Sequence, residues 1–138
     1  MSKKQDLLDG LNEDMNLELE AVLRYLYHTA TATGLLGHEL RELLKGEVAG
    51  ELNHAVFLAD KIAALGGEPK INPTTPKPVK NAKQMLEEDI EAERKVIANY
   101  GKRIEQAEAF GDKGLVIRLE DILAEETDHA EELERLGR

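Results

Sequence analysis

Apolar residues return every three or four positions in four separate stretches of this chain, and that spacing predicts four amphipathic helices. The first covers about 6–33, where Leu11, Met15, Glu18, Val22, Tyr25, Thr29 and Ala32 share a face. The second covers about 38–65, with Leu40, Leu44, Glu47, Glu51, His54, Leu58, Ile62 and Leu65 in its stripe. Gly46 and Gly50 lie inside it, each costing about 1 kcal/mol against alanine. Gly34 and Gly37 bracket the turn before it, and Gly66-Gly67 stops it. A third helix, about 81–109, opens on Asn81 with Gln84 three residues on, a capping-box-like start. Its stripe is Leu86, Asp89, Glu93, Val96, Tyr100, Ile104 and Ala107. After Gly111, Asp112 is placed to cap a fourth helix, about 113–136, with Leu115, Leu119, Ile122, Glu126, His129, Leu133 and Leu136 inward. Between the second and third helices, Pro69, Pro73, Pro76 and Pro78 exclude regular helix from 68–80. Extended at roughly 3.3 Å per residue, that stretch covers about 40 Å, the length of a bundle. The expected fold is all-α: a single domain over 1–138, built as a four-helix bundle of two antiparallel hairpins. One long crossover joins them and makes the second and third helices parallel.

Six of the inward positions are ionisable. Glu51 and His54 are three residues apart, as are Glu126 and His129, so each pair shares a helix face. Glu18 precedes Glu51 by 33 residues, and Glu93 precedes Glu126 by 33. The whole set repeats at one offset: Glu18 and Glu93, Tyr25 and Tyr100, Glu51 and Glu126, His54 and His129 are each 75 residues apart. The midpoint of Glu18 and Glu51 falls in the Gly34–Gly37 turn, and that of Glu93 and Glu126 beside Gly111. Both hairpins therefore bring their carboxylates to one height. Glu20 lies off the stripe, so Glu18 is the candidate in the first helix.

Carboxylates in an apolar core are costly unless protonated or paired. Two divalent cations would balance four of them. One glutamate from each of two helices, with Glu-x-x-His from the other two, is the donor plan of di-iron and di-manganese carboxylate bundles. Oxygen and imidazole ligands suit iron or manganese. The chain has no cysteine, which excludes disulfides, thiolate zinc sites and iron–sulfur clusters. A net charge of −10 speaks against nucleic acid as the main partner. No apolar run reaches the roughly 18 residues of a membrane span, and the first ten residues lack the apolar core of a signal peptide. The expectation is a cytoplasmic protein with no membrane partner.

At this point the chain resembles bacterioferritin and its ferritin-like relatives over nearly its whole length. Leu11-Asn12, Glu18-Leu19, Tyr25 and His28 carry the resemblance in the first helix. The second adds Glu51-x-x-His54-Ala55 and the run Ala64-Leu65-Gly66-Gly67-Glu68-Pro69. Asp89-Ile90-x-x-Glu93 and Ile122-Leu123-x-x-Glu126-x-x-His129 carry it in the last two. The resemblance implies a ferroxidase centre holding two iron ions per chain, manganese being a possible substitute. Glu18 and Glu93 would be terminal ligands, Glu51 and Glu126 bridges, and His54 and His129 would each serve one ion. It implies oxidation of Fe(II) by O2 or H2O2, for iron homeostasis and protection from oxidative stress. The alternatives are an iron or manganese delivery protein without turnover and a metal-free interaction bundle.

The chain departs from that family in places. The family's haem is held by a methionine directly after the first bridging glutamate. Here that residue is Leu52, so no haem is expected. Inner-surface positions used for iron are Gly46 and Gly50, and nine residues follow His129 where cage-forming relatives carry a fifth helix. A homodimer or small homo-oligomer without a mineral core is therefore expected. Rubrerythrins share the donor plan but add a cysteine-ligated iron domain, which this chain lacks. Around the six residues, Asp89 is placed to accept a hydrogen bond from a ligating histidine. Tyr25 and Tyr100 could bond a ligand carboxylate, supply an electron or fill the core. Glu47 could line a route for metal or be a solvated side chain. His28 and His38 read as surface or interface residues, and Met15 and Met85 as gap-fillers.

Overall fold

The computed structural model describes residues 2–138. It holds four helices: α1 (Lys3–Thr31), α2 (Gly34–Ala64), α3 (Ala82–Phe110) and α4 (Lys113–Leu136). Among the described residues no helix is long and apolar enough to cross a membrane. Three helices start on side-chain caps that satisfy otherwise orphan amides. Ser2 Oγ accepts from the Gln5 amide (3.1 Å), Asn81 Oδ1 from Gln84 (2.9 Å) and Asp112 Oδ1 from Leu115 (3.0 Å). The Ser2 cap starts α1 three residues earlier than the apolar stripe alone suggested. At the end of α2, Gly66 has φ +86°. There the Gly67 amide reaches back to Ile62 O and the Gly66 amide to Ala63 O, a left-handed stop that favours glycine.

The first turn is a correction. It consists of Ala32 and Thr33 alone, and α2 begins at Gly34 rather than His38. Gly34 has φ +80° and reverses the chain in one step, so the helix resumes at once. Gly37 is helical, and its role is proximity: a Cβ there would lie 2.9 Å from the backbone carbon of Ala32.

Cross-helix contacts fix the register. Along α1, His28, Tyr25, Asp14 and Lys3 meet Asp89, Glu93, Arg103 and Ala109 in turn, so α1 and α3 are antiparallel. The α1–α2 hairpin is antiparallel as well, with Glu18 opposite His54 and Thr29 opposite Arg41. Helices α2 and α3 therefore run parallel, and the crossover returns the chain along α1. It is held there by a ladder. The amides of Lys70, Asn72 and Thr74 donate to Asn12 Oδ1, Asn16 Oδ1 and Glu20 Oε2. Four residues of helix rise about 6 Å and two extended residues advance about 6.6 Å, so the two periods nearly match.

The core divides in two. One cluster, including Leu7, Leu11, Met15, Leu58, Ile62, Tyr100 and Leu119, fills one end of the bundle. A second, including Ala21, Tyr25, Leu40, Leu44, Met85 and Leu133, fills the other. On every helix the six ionisable candidates fall between these clusters in sequence.

Candidate metal centre

A layer of charge separates the two apolar clusters. Glu18, Glu51 and Glu126 are fully buried, Glu93 and His54 nearly so, and His129 is partly buried. The structure brings all six to one level and sorts them into two overlapping groups. One is Glu18, Glu51, His54 and Glu126; the other is Glu51, Glu93, Glu126 and His129. Within each group, ligand atoms from all four side chains lie within 4.8 Å of one another. Glu51 and Glu126 belong to both groups, whereas each remaining residue belongs to one. That overlap could hold two ions sharing two carboxylates.

The side chains partly neutralise one another. His54 donates from Nδ1 to Glu18 Oε2 (2.7 Å) and from Nε2 to Glu125 Oε2 (2.5 Å). His129 pairs through Nε2 with Glu47, while its Nδ1 lies 3.1 Å from Glu51 Oε1. Burial raises Glu18 to about 7 and Glu51 to about 10. Burial, then the neighbouring Glu126, raises Glu93 to about 11. Burial alone would hold the imidazoles down, but their carboxylate partners outweigh it and lift His54 to about 11 and His129 to about 12. Glu126 is buried too, yet the cationic rings of His129 and His54, 3.5 and 3.1 Å from its Oε1, hold it below the usual carboxylate range. At neutral pH the cluster thus holds protons on Glu51, Glu93 and both rings, with Glu18 near the midpoint of its titration.

Among the described residues, much of the layer nevertheless lacks hydrogen-bond partners. Glu18 Oε1, Glu93 Oε1, both carboxylate oxygens of Glu51 and of Glu126, and His129 Nδ1 are buried with no hydrogen bond. Each such atom costs roughly 1–3 kcal/mol. A divalent cation in each group would take up these lone pairs with oxygen and nitrogen donors of the kind iron and manganese accept. The donor set therefore fits a pair of cations on this geometry alone.

The Ferritin family, described as a ferritin-like domain, matches residues 8–137. The chain belongs to the ferritin-like family. It is 32% identical to a bacterial ferritin of Pseudomonas aeruginosa over 98% of this chain and 88% of that protein. Against a bacterioferritin of Brucella melitensis it is 27% identical, covering 97% and 84%. A crystal structure of ferritin-like, diiron-carboxylate proteins from Bacillus anthracis superposes with a TM-score of 0.95 at 39% identity, covering both chains in full.

Around this ferritin-like centre the residues sort differently from the sequence reading in several places. Tyr25 donates to Glu93 Oε2 (3.0 Å). Tyr100 is fully buried and its hydroxyl has no partner. Asp89 does not serve a candidate ligand histidine. It accepts from His28 Nδ1 (2.9 Å) and Arg24 Nε (3.0 Å). His28 is fully buried rather than at the surface, because α1 touches both α2 and α3 and buries more than one stripe. Leu7, Asp14, Ala21 and His28, seven apart, form a second buried row on α1. Glu47 pairs with His129, and His38 is exposed.

Two features were missed. Asp14 and Arg103 form a buried ion pair (2.7 and 3.1 Å). The signal for it was present, since adding 75 to Asp14 and His28 gives Asp89 and Arg103. The pair is the counterpart of Asp89–His28. Glu125, the outer partner of His54, carried no such signal, because its counterpart at the offset is Gly50.

Proposed function

We propose that this chain is a ferroxidase: it takes Fe(II) as a pair of ions and oxidises it with O2 or H2O2, serving iron homeostasis and protection from oxidative stress. The observation that carries this is the pair of donor groups sharing Glu51 and Glu126. Glu18 and Glu93 act as terminal carboxylates, Glu51 and Glu126 as bridges, and His54 and His129 each bind one ion through Nδ1. All six ligands come from one chain, giving two ions per chain. Each Fe(II) gives up one electron. Two electrons and two protons convert O2 to H2O2, or H2O2 to two waters. The protein's share is positional: four carboxylates stabilise Fe(III) more than Fe(II), and the apolar clusters keep bulk water out. The outer carboxylates of Glu47 and Glu125 orient the rings by bonding Nε2.

Manganese suits the same donors, and delivery of iron or manganese without turnover is the competing function. Anaerobic titration with Fe(II), followed by admission of air or peroxide, separates them. We expect saturation at two ions per chain, then rapid appearance of ferric absorbance. Saturation at one ion per two chains would place the site at an interface and end this reading; tight binding without oxidation would leave delivery. The proposed assembly is a homodimer or small homo-oligomer through the outward faces of α1 and α2, where Leu26, Leu52 and Val56 are exposed. Light scattering behind size exclusion, before and after aerobic loading, checks it. A 12- or 24-subunit particle retaining many irons per chain would replace it with a storage shell.

A further inference from the structure

We propose that Tyr100 positions Glu18 as Tyr25 positions Glu93, so that each ion position has one terminal carboxylate steered by one buried phenol. This rests on the ligand roles given above. On one side of the layer the arrangement is complete: Tyr25, on α1, donates to Glu93 on α3 at 3.0 Å. The offset of 75 exchanges the helices and makes Tyr100 of α3 the counterpart of Tyr25, and Glu18 of α1 the counterpart of Glu93. On that second side a donor and an acceptor are both left over. The Tyr100 hydroxyl and Glu18 Oε1 are buried, and neither has a hydrogen-bond partner among the described residues. A buried phenol without a partner is costly, and a phenylalanine would fill nearly the same space without that cost.

The same exchange maps a second buried pair. Asp14–Arg103 and Asp89–His28 correspond at the same offset, and both are formed. The counterpart relation thus holds for neighbours of the ligands as well as for the ligands. Burial, and next the Glu18 carboxylate, push the Tyr100 phenol well above its usual range, so it remains a proton donor.

In this structure Glu18 is instead bonded through its other oxygen, Oε2, to His54 Nδ1 at 2.7 Å. A cation that takes His54 Nδ1 and Glu18 Oε2 ends that bond. Glu18 then needs another donor to fix its rotamer, and Tyr100 supplies it. Tyr100 is a positioning residue: it acts on the ion through Glu18.

Co(II), whose absorbance reports binding without any oxidation, tests this in two backgrounds. His129→Ala leaves the Glu18/His54 position, and His54→Ala leaves the Glu93/His129 position. Adding Tyr100→Phe should weaken Co(II) binding about tenfold or more in the first background and leave the second unchanged. Tyr25→Phe should show the reverse. Phenylalanine keeps the ring, so the metal-free melting temperature reports whether packing has changed. Equal weakening in both backgrounds, or none in either, overturns the inference while leaving the ligand roles standing. If the parent protein takes up no Co(II), the ligand roles themselves fail, and this inference with them.

Discussion

The Glu18/His54 side and the Glu93/His129 side of the centre share a donor plan but differ in how it is held. Glu93 is fixed by a phenol from outside the donor set, whereas Glu18 is tied to a neighbouring donor, His54. The outer nitrogen of His129 meets Glu47, of which 20% is exposed; that of His54 meets Glu125, of which 59% is exposed. A surface cleft lined by Gly50, Asn53, Phe57, Arg118 and Asp121 reaches His54. The outer carboxylates lie outside the repeat, since the counterpart of Glu47 is Ile122 and that of Glu125 is Gly50. Repetition sets which atoms face the ions. The residues that govern protonation and access were chosen separately on each side.

The largest expected effect comes from the residues common to both sides. Glu51→Ala or Glu126→Ala should abolish paired binding, leaving at most one weakly held ion in an anaerobic titration; retention of two ions would deny the sharing. Next is pH. Glu18 at about 7 and Glu51 at about 10, both raised first by burial, carry protons that a cation must displace. Apparent affinity should therefore fall about tenfold or more per unit as the pH drops below about 10, and more steeply below about 7, followed by calorimetry in buffers of different ionisation heat. A pH-independent affinity would contradict the protonated metal-free layer.

The flanking ion pairs sharpen the comparison through stability. Among the described residues Arg103 alone neutralises Asp14, which burial already holds above the ordinary carboxylate range. Asp89 has both His28 and Arg24. Arg103→Met should cost about 3–5 kcal/mol and His28→Asn clearly less, by chemical denaturation. Equal costs would show that the second donor to Asp89 adds nothing. Gly10→Ala should cost about 1–3 kcal/mol, because its Cβ would fall 1.9 Å from Arg103 Nη1, and that guanidinium is pinned by Asp14. Smallest is Glu20→Ala, which removes the Thr74 contact at about 1 kcal/mol. It should leave metal stoichiometry untouched, in contrast to Glu18→Ala.

Periodicity made the helices and the height of the candidate ligands legible, because an inward stripe of one residue in every three or four leaves few choices for a buried glutamate. The crossover was legible from its prolines. Other features depend on contacts between helices. Whether α2 starts at Gly34 or His38 turns on one positive φ angle, which glycine permits but does not announce. His28 lay one turn from Tyr25, yet its burial follows from α1 facing two neighbours at once. The Asp14–Arg103 pair was within reach of the repeat, though a charged residue in an acidic chain draws no attention until its partner is seen. Glu125 depends only on how far α4 sits from α2, which no spacing in the sequence encodes.

The ladder between α1 and the crossover has a consequence for what insertions this chain can absorb. Successive amides of an extended strand point to opposite sides, so only every second one faces α1. Adding one residue before Lys70 would turn the wrong set of amides toward Asn12, Asn16 and Glu20. Adding two would restore the set, displaced by a single rung. The crossover thus behaves like a toothed belt on a gear, accepting changes of length in pairs, whereas an ordinary surface loop accepts them in any number.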